Sequence, residues 1–208
     1  MSAIAPAGTT SMKNKRFLGY LSLPKEMTPF EREYLTSMNR VALFFFWLHP
    51  PVFALVAVLA GTSVWQALVL PVIVLSATTI VFRTFKNPRL ISVTYGITAM
   101  CMGGLLVHLG QGPMQIEMHF YFFVLIALLA VFANPQVVLA AAVTVSLHHL
   151  VLFLALPTSI FNYDASIWTV VVHAIFVVLE SVAACFVARS FFDNVIGPNE
   201  VRFTLRES

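Results

Sequence analysis

Long apolar runs separated by short polar stretches fill the chain from residue 41 to residue 192. A helix that crosses a bilayer needs about 20 mainly apolar residues. Six runs meet this requirement: residues 41–60, 64–82, 90–109, 113–133, 135–156 and 167–192. The pattern therefore predicts an all-α fold, an integral membrane bundle of six transmembrane helices.

Two of these runs carry local signals that change their shape. His49, Pro50 and Pro51 interrupt the first run, and a proline inside a helix predicts a kink there. The fourth run reaches full length only if its helix begins at Pro113, since proline is favoured in the first helical turn. That start places Glu117 inside the membrane-spanning helix.

The chain divides into three parts by polarity. Residues 1–40 are polar, contain no apolar core of a signal peptide, and are expected to form a cytoplasmic N-terminal segment. Thr28-Pro29-Phe30-Glu31 has the form of a capping box, which predicts a short amphipathic helix over residues 29–39 at the membrane surface. Residues 41–192 form the six-helix transmembrane domain, and residues 193–208 form a cytoplasmic tail.

Composition agrees with a membrane protein. Hydrophobic residues make up 59% of the chain and charged residues 10%, whereas a soluble domain carries about 25% charged residues. The mean hydropathy is +0.88. The net charge of +3 comes from scattered basic residues without a stripe or a nucleic-acid-binding motif, so we expect no nucleic-acid partner.

The positions of the basic residues predict the orientation of the bundle. All 12 Lys and Arg residues lie in the N-terminal segment, in the loop at 83–89, or at and beyond the end of the sixth helix. The loops on the other side contain none. The positive-inside rule then places both termini in the cytoplasm. We expect a multi-pass protein of the bacterial inner membrane.

Histidines and one carboxylate fall at a common depth near the outer ends of three predicted helices. At about 1.5 Å per residue, His119, His149 and His173 lie roughly 9–10 Å below the outer boundary. Glu117 lies two residues from His119, and His148 points about 100° away from its neighbour. Because ionisable groups are costly in a bilayer and are functional by default, we predict that these five residues bind a transition metal.

Three further ionisable residues lie near this cluster. Glu180 is two turns deeper than His173 on the same helix face, and His49 reaches a similar depth in the first helix. His108 closes the third helix on the outer side. These residues are candidates for a second shell or a proton path. For His49 and His108, the alternative is a structural histidine bonded to a neighbouring helix.

Imidazoles with one or two carboxylates suit zinc, copper or iron. We expect copper first. Haem b is the alternative cofactor, since two facing histidines can serve as axial ligands of haem iron. Against haem, the outer loops contain no Lys or Arg to neutralise the propionates.

The motif Gly110-Gln-Gly-Pro-Met-Gln-Ile-Glu-Met-His-Phe120, with Leu147-His-His-Leu150, Val172-His173 and Val178-Leu-Glu180 after it, resembles a bacterial membrane sensor module. Such modules precede histidine kinase, diguanylate cyclase or chemoreceptor output domains. The resemblance covers residues 30–197 and implies a six-helix input domain with these motif positions: Glu117, His119, His148, His149, His173 and Glu180. It implies a cytoplasmic output domain or partner protein, and it is compatible with a homodimer. The chain departs from the family after Gly197, where a coiled linker is usual.

Three functional hypotheses remain open from the sequence. The first is a sensory module in which an event at the metal alters helix packing and the sixth helix carries the change to the cytoplasm. The second is an integral-membrane metalloenzyme with Glu180 and His49 as a proton path. The third is an accessory subunit of an electron-transfer complex, in which the histidines ligate a haem or a pigment.

Overall fold

The computed structural model describes residues 19–198, and this part of the chain is helical, without a β-strand. Its α-helices from residue 29 onwards are α1 (Pro29–Trp47), α2 (His49–Ala60), α3 (Val64–Thr84), α4 (Pro88–Leu109), α5 (Gln115–Leu129), α6 (Pro135–Ala155) and α7 (Ile167–Phe191). Short 3-10 turns follow α5 and α6, and a π-helical turn, Phe192–Ile196, extends α7.

Six helical segments in this part of the chain are long and apolar enough to cross a membrane. They are Pro29–Ala60, Val64–Thr84, Pro88–Leu109, Gln115–Phe132, Pro135–Ala155 and Ile167–Ile196. The all-α prediction and the predicted number of spans are thereby confirmed for the described residues. Length and composition together indicate a multi-pass membrane protein.

The first span breaks where its prolines predicted a kink. α1 ends at Trp47, and α2 begins one residue later at His49, with Leu48 as the junction. At the start of α1, the side-chain oxygen of Thr28 accepts a hydrogen bond from the backbone N–H of Glu31 at 3.1 Å, as the capping motif predicted. The fourth span begins at Gln115 rather than at Pro113.

The helix predicted over residues 29–39 is present, and it continues without a break into the first span. α1 is continuous, and its polar residues Glu31 and Asn39 are 2% and 1% exposed. The Glu31 carboxylate accepts two hydrogen bonds from Arg89, at 2.5 and 2.6 Å. The Asn39 side chain donates to the Pro88 carbonyl at 2.9 Å, and the Asn39 backbone carbonyl accepts from the Tyr95 hydroxyl at 2.8 Å. Polar partners on α4 therefore bury one face of this part of α1, whereas Arg32, Glu33 and Thr36 on the other face stay exposed.

α4 lies at the centre of the bundle. In its most apolar window 67% of the residues are buried, against 22–44% for the other five spans. Small residues on α4 let neighbouring helices approach closely. A Cβ atom at Gly103 would lie 2.6 Å from the Phe122 ring of α5, and one at Gly96 would overlap the Val137 carbonyl oxygen of α6. Glycines on α4 therefore set the positions of α5 and α6.

We expect Gly96→Ala to destabilise the bundle by about 1–3 kcal/mol, the usual cost of inserting atoms into a packed core. The obstacle is the backbone of α6, which cannot move aside as a side chain can. Thermal unfolding of the purified protein in detergent measures the effect. Gly19→Ala is the matched control because a Cβ atom there meets nothing within 4 Å. Equal melting temperatures of the two variants would contradict the close approach of α4 and α6.

The two ends of the bundle differ in charge. One end, here called the basic end, carries Arg83 in the last turn of α3, Lys86 in the loop and Arg89 in the first turn of α4. The opposite end, here called the histidine end, contains the connections at 61–63, 110–114 and 156–166, which lack Lys and Arg. This distribution is the one that the positive-inside rule uses, and the candidate site lies near the histidine end.

Candidate functional site

Three histidines from three different helices meet near the histidine end. His119 belongs to α5, His149 to α6 and His173 to α7. Their ring centroids are 5.8 Å apart for His119 and His149, and 5.6 Å apart for each of the other two pairs. We call these three side chains the histidine triad.

Each imidazole of the histidine triad is fixed in the same way by its own helix. The Nδ1 atom bonds the backbone carbonyl oxygen four residues earlier, and a carbonyl oxygen can only accept, so Nδ1 carries the proton. The Nε2 atom is then left with a lone pair and no proton. The distances from Nδ1 are 2.8 Å for His119 to Gln115, 2.9 Å for His149 to Val145, and 2.8 Å for His173 to Thr169.

Two of these Nε2 atoms are buried without a partner. Among residues 19–198, the Nε2 atoms of His119 and His149 are inaccessible to solvent and make no hydrogen bond. His149 is 5% exposed. A buried polar atom without a hydrogen bond costs about 1–3 kcal/mol. Because these nitrogens can only accept, the site needs a hydrogen-bond donor or a metal ion to satisfy them.

The histidine triad lines a cavity of about 340 Å³ between α5, α6 and α7, here called the imidazole pocket. Apart from the three imidazoles and Tyr163, its walls are apolar. Three wall residues, Phe120, Val172 and Phe176, are 63%, 49% and 55% exposed on the outer surface of the helices. The imidazole pocket therefore opens sideways, towards the surface that faces lipid in a bilayer.

Phe161, in the connection between α6 and α7, closes the other side of the imidazole pocket. Its ring is nearly parallel to that of His119, with centroids 6.2 Å apart, and lies edge-on to His173 at 5.6 Å. Phe161 is 5% exposed. It also lines a second, more polar cavity of about 720 Å³ at the histidine end. Phe161 thus separates the histidine triad from this polar cavity.

Hydrogen bonds hold this connection against α4 and α5. The buried Gln115 side chain donates to the Thr158 carbonyl at 3.0 Å. His108, at the end of α4, is bonded through Nδ1 to the Ser159 hydroxyl at 3.0 Å. Gln115 also supplies the carbonyl that orients His119. His108 therefore positions the connection that covers the site, and it is not itself part of the histidine triad.

His148 and His149, which the sequence could not separate, have different surroundings. The His148 ring packs directly against Gly104 of α4, where a Cβ atom would overlap it. Its centroid lies 5.3 Å from that of His149. Its Nδ1 is buried without a hydrogen bond within the described part of the chain. The structure therefore places His149 in the histidine triad and His148 between the triad and α4.

Glu117 was predicted to belong to the same shell, and the structure does not bring it there. It precedes His119 by two residues, which is about 200° around a helix. It is exposed, in the first turn of α5, where a carboxylate interacts favourably with the helix dipole. The histidine triad is thus formed by imidazoles alone.

The deeper residues do not form a connected path to the histidine triad. His49 is buried and fully bonded, with Nε2 2.6 Å from the Tyr121 hydroxyl and Nδ1 3.2 Å from the Phe45 carbonyl. Glu180 is partly buried on α7. Within residues 19–198 no hydrogen bond joins it to His49 or to His173. His49 therefore has the surroundings of a histidine that joins α2 to α5.

The side chains as they stand do not enclose an ion. Nowhere between residues 19 and 198 is a group of three or more His, Cys, Asp or Glu side chains positioned to hold a metal ion. A metal would require the three rings of the histidine triad to turn or approach. Metal binding by the histidine triad therefore remains a prediction.

Sequence reasoning missed Phe161 and Gln115, which shape the site, and Tyr121, which accounts for His49. Phe161 has no polar signal and lies in a loop, so only its position against His119 reveals it. Tyr121 satisfies His49 from another helix. Gln115 could have been found, because a glutamine four residues before His119 lies on the same helix face.

Comparisons with known proteins do not assign a function to this chain. No family model, no curated protein and no solved structure matches the chain. The resemblance to bacterial sensor modules therefore stays a prediction that rests on the histidine motifs.

Proposed function

We propose that this protein is a membrane-embedded sensory input module in which His119, His149 and His173 hold a transition metal, copper first, near the outer face. One observation carries the proposal. Three imidazoles from three helices lie together with their Nδ1 atoms committed to backbone carbonyls. That arrangement leaves the Nε2 lone pairs free for a metal, and a hydrogen bond at the other ring nitrogen is typical of ligating histidines.

The spacing of the rings is close to what a metal requires. For a metal–nitrogen distance of about 2.0–2.1 Å, the centroids of three ligating imidazoles lie about 5.2–5.5 Å apart in tetrahedral or trigonal geometry. The observed separations are 5.6–5.8 Å. A shift of a few tenths of an ångström, with ring rotation, would bring the rings to that spacing. Imidazole ligands suit copper, zinc, iron and nickel.

The same spacing speaks against haem. Axial imidazoles on opposite faces of a haem would have centroids about 6.4 Å apart, given iron–nitrogen distances like those of other metals. The macrocycle would have to lie between them. The third imidazole lies 5.6–5.8 Å from both of the others. It would therefore occupy part of the space that the macrocycle needs between two axial imidazoles. The third hypothesis from the sequence, a haem-binding or pigment-binding subunit, thus has less support than a metal ion.

The hypothesis of a metalloenzyme with a proton path is also less well supported. His49 is bonded to Tyr121, and Glu180 has no hydrogen bond to it in the described part of the chain. A sensor needs no such path. It needs a site that is coupled to a helix leading to the opposite face.

α7 provides that coupling. It carries His173 near the histidine end and ends at the basic end, which we infer to be cytoplasmic from its basic residues. There Arg189 donates to the Ser22 carbonyl at 2.7 Å, and a π-helical turn, Phe192–Ile196, follows. Such turns are frequent at functional sites. A change in the position of His173 can thus reach the cytoplasmic side, where the output domain or partner protein would bind.

Elemental analysis of the protein purified from its native membrane tests the proposal. We expect about one equivalent of copper per chain, because the three imidazoles supply the protein ligands of one metal ion. The optical spectrum should lack a Soret band. A stoichiometric haem spectrum would contradict the choice of a metal ion over haem. Absence of any metal, also after reloading with copper(I) or zinc, would contradict the metal site itself.

A further inference from the structure

We propose that the imidazole pocket binds the ring of an uncharged phenol or hydroquinone dissolved in the membrane, with a hydroxyl group of the ligand directed at the Nε2 atom of His173. The inference deepens the proposed function by naming the ligand class of the sensory site, and in that role it rests on the proposed function. The binding site itself is argued from the side chains without a metal.

The size and walls of the imidazole pocket fit a ring. Its volume is about 340 Å³, near the lower end of the about 300–1,000 Å³ that is typical of ligand pockets. A diatomic molecule would leave most of this space empty. Phe120, Phe122 and Phe176 contribute to the walls, and aromatic side chains pack favourably against a ligand ring in stacked or edge-to-face geometry.

The polarity of the histidine triad selects a hydroxyl group. The His173 Nδ1 proton is committed to the Thr169 carbonyl, so the neutral imidazole keeps Nε2 as an acceptor. The Nε2 atoms of His119 and His149 are closed off from solvent, and that of His173 is not. A hydroxyl group donates to such a nitrogen. A ketone oxygen would place one acceptor against another and leave both without a proton. The site therefore favours a hydroquinone over the corresponding quinone, because sites built for a hydrogen bond reject the analogue that cannot make it.

The openings of the imidazole pocket indicate where the ligand comes from. The exposed wall residues Phe120, Val172 and Phe176 lie on the lipid-facing surface of α5 and α7. The buried Phe161 ring closes the side towards the polar cavity. An uncharged ring that partitions into lipid can thus enter between α5 and α7, and the bilayer is the source.

A metal and this ligand are compatible at one site. Three imidazoles leave one position of a four-coordinate metal open, and in this structure the imidazole pocket adjoins the triad. The hydroxyl oxygen of the ligand can therefore lie at that position in the metal-bearing protein. In the metal-free protein the same hydroxyl donates to Nε2.

The test uses the full chain in nanodiscs of quinone-free lipid, treated with chelator to remove metal and kept without oxygen. Tetramethylhydroquinone is titrated against its dimethyl ether, which has the same ring but no hydroxyl donor. We expect the hydroquinone to bind at least about tenfold more tightly than the ether, because the ether has no hydroxyl group to donate to the His173 Nε2 atom. Equal binding of the two, or no binding above that of empty nanodiscs, would overturn the proposal.

Two tryptophan substitutions then locate the site. Val172→Trp fills the opening of the imidazole pocket, whereas Val171→Trp makes the same change one residue earlier, at a position that is also exposed but does not line it. We expect only Val172→Trp to weaken hydroquinone binding, by about tenfold or more, with both melting temperatures close to wild type. An equal effect of the two substitutions would place the ligand elsewhere.

These outcomes are independent of those for the metal. A chain that binds hydroquinone without metal, and takes up no metal when it is reloaded, supports the ligand site and removes the metal from the proposed function. A chain that holds stoichiometric metal but does not prefer the hydroquinone keeps the metal site and loses this inference.

Discussion

His149→Ala is expected to abolish stoichiometric metal binding. His149 is the most buried member of the histidine triad, at 5% exposure, and its Nε2 atom has no other partner among residues 19–198. Without it, two imidazoles remain in apolar surroundings and cannot complete a site of three protein ligands. We expect the same loss from His119→Ala and His173→Ala. Metal per chain, measured by elemental analysis after equilibration with a weak chelator, checks all three.

His148→Ala is the matched control, since it makes the same substitution one residue earlier on the same helix. Its ring packs against Gly104 rather than joining the triad. We expect His148→Ala to keep its metal, with an affinity reduced by no more than the about 10–100-fold typical of groups beyond the ligands. Full metal content in both His119→Ala and His173→Ala would show that the cluster is a packing network, and the metal reading would fail.

The fold followed from the sequence to the extent that lipid imposes it. A bilayer requires about 20 apolar residues in each helix, so the spans appear as long apolar runs. Pro50 and Pro51 marked the break between α1 and α2 because proline cannot continue a helix ladder. What the pattern missed is that polar residues lie on the buried face of the first half of α1, where Glu31 pairs with Arg89, 58 positions later. In the sequence alone, polar residues that form hydrogen bonds between two helices cannot be distinguished from polar residues exposed to solvent.

The sequence predicted how deep the histidines of the candidate site lie in the bilayer. It did not predict the direction in which each side chain points. The rise per residue is fixed, so counting from the helix ends put His119, His149 and His173 at one level, and the structure brings them together. Which way each side chain faces depends on the rotation of each helix against its neighbours. The His148 ring packs against Gly104 of α4, and the Phe161 ring covers the histidine triad. Neither contact follows from the depth of the histidines.

At the basic end, we expect Glu31→Ala to cost about 3–5 kcal/mol of stability. This is the usual result of removing one partner of a buried ion pair, because the other charge is left unpaired. Glu31 is 2% exposed, and the Arg89 side chain is 15% exposed. Arg89 also donates to the Pro24 carbonyl at 2.6 Å, so the pair ties α4 to α1 and to the segment before it. Thermal unfolding of the purified variant in detergent measures the loss.

The chain supplies its own control in a second, exposed ion pair. Arg189 and Asp193 are four residues apart on one helical segment, 2.9 Å from nitrogen to oxygen, and the Asp193 side chain is 48% exposed. Asp193→Ala should change stability by no more than about 0.5 kcal/mol, as solvent-exposed pairs at this spacing do. The double variant Glu31→Leu with Arg89→Met should recover most of the stability that Glu31→Ala loses, since replacing both charges by apolar groups leaves no unpaired ion. If Glu31→Ala and Asp193→Ala melt at the same temperature, the Glu31–Arg89 pair does not hold α1 against α4.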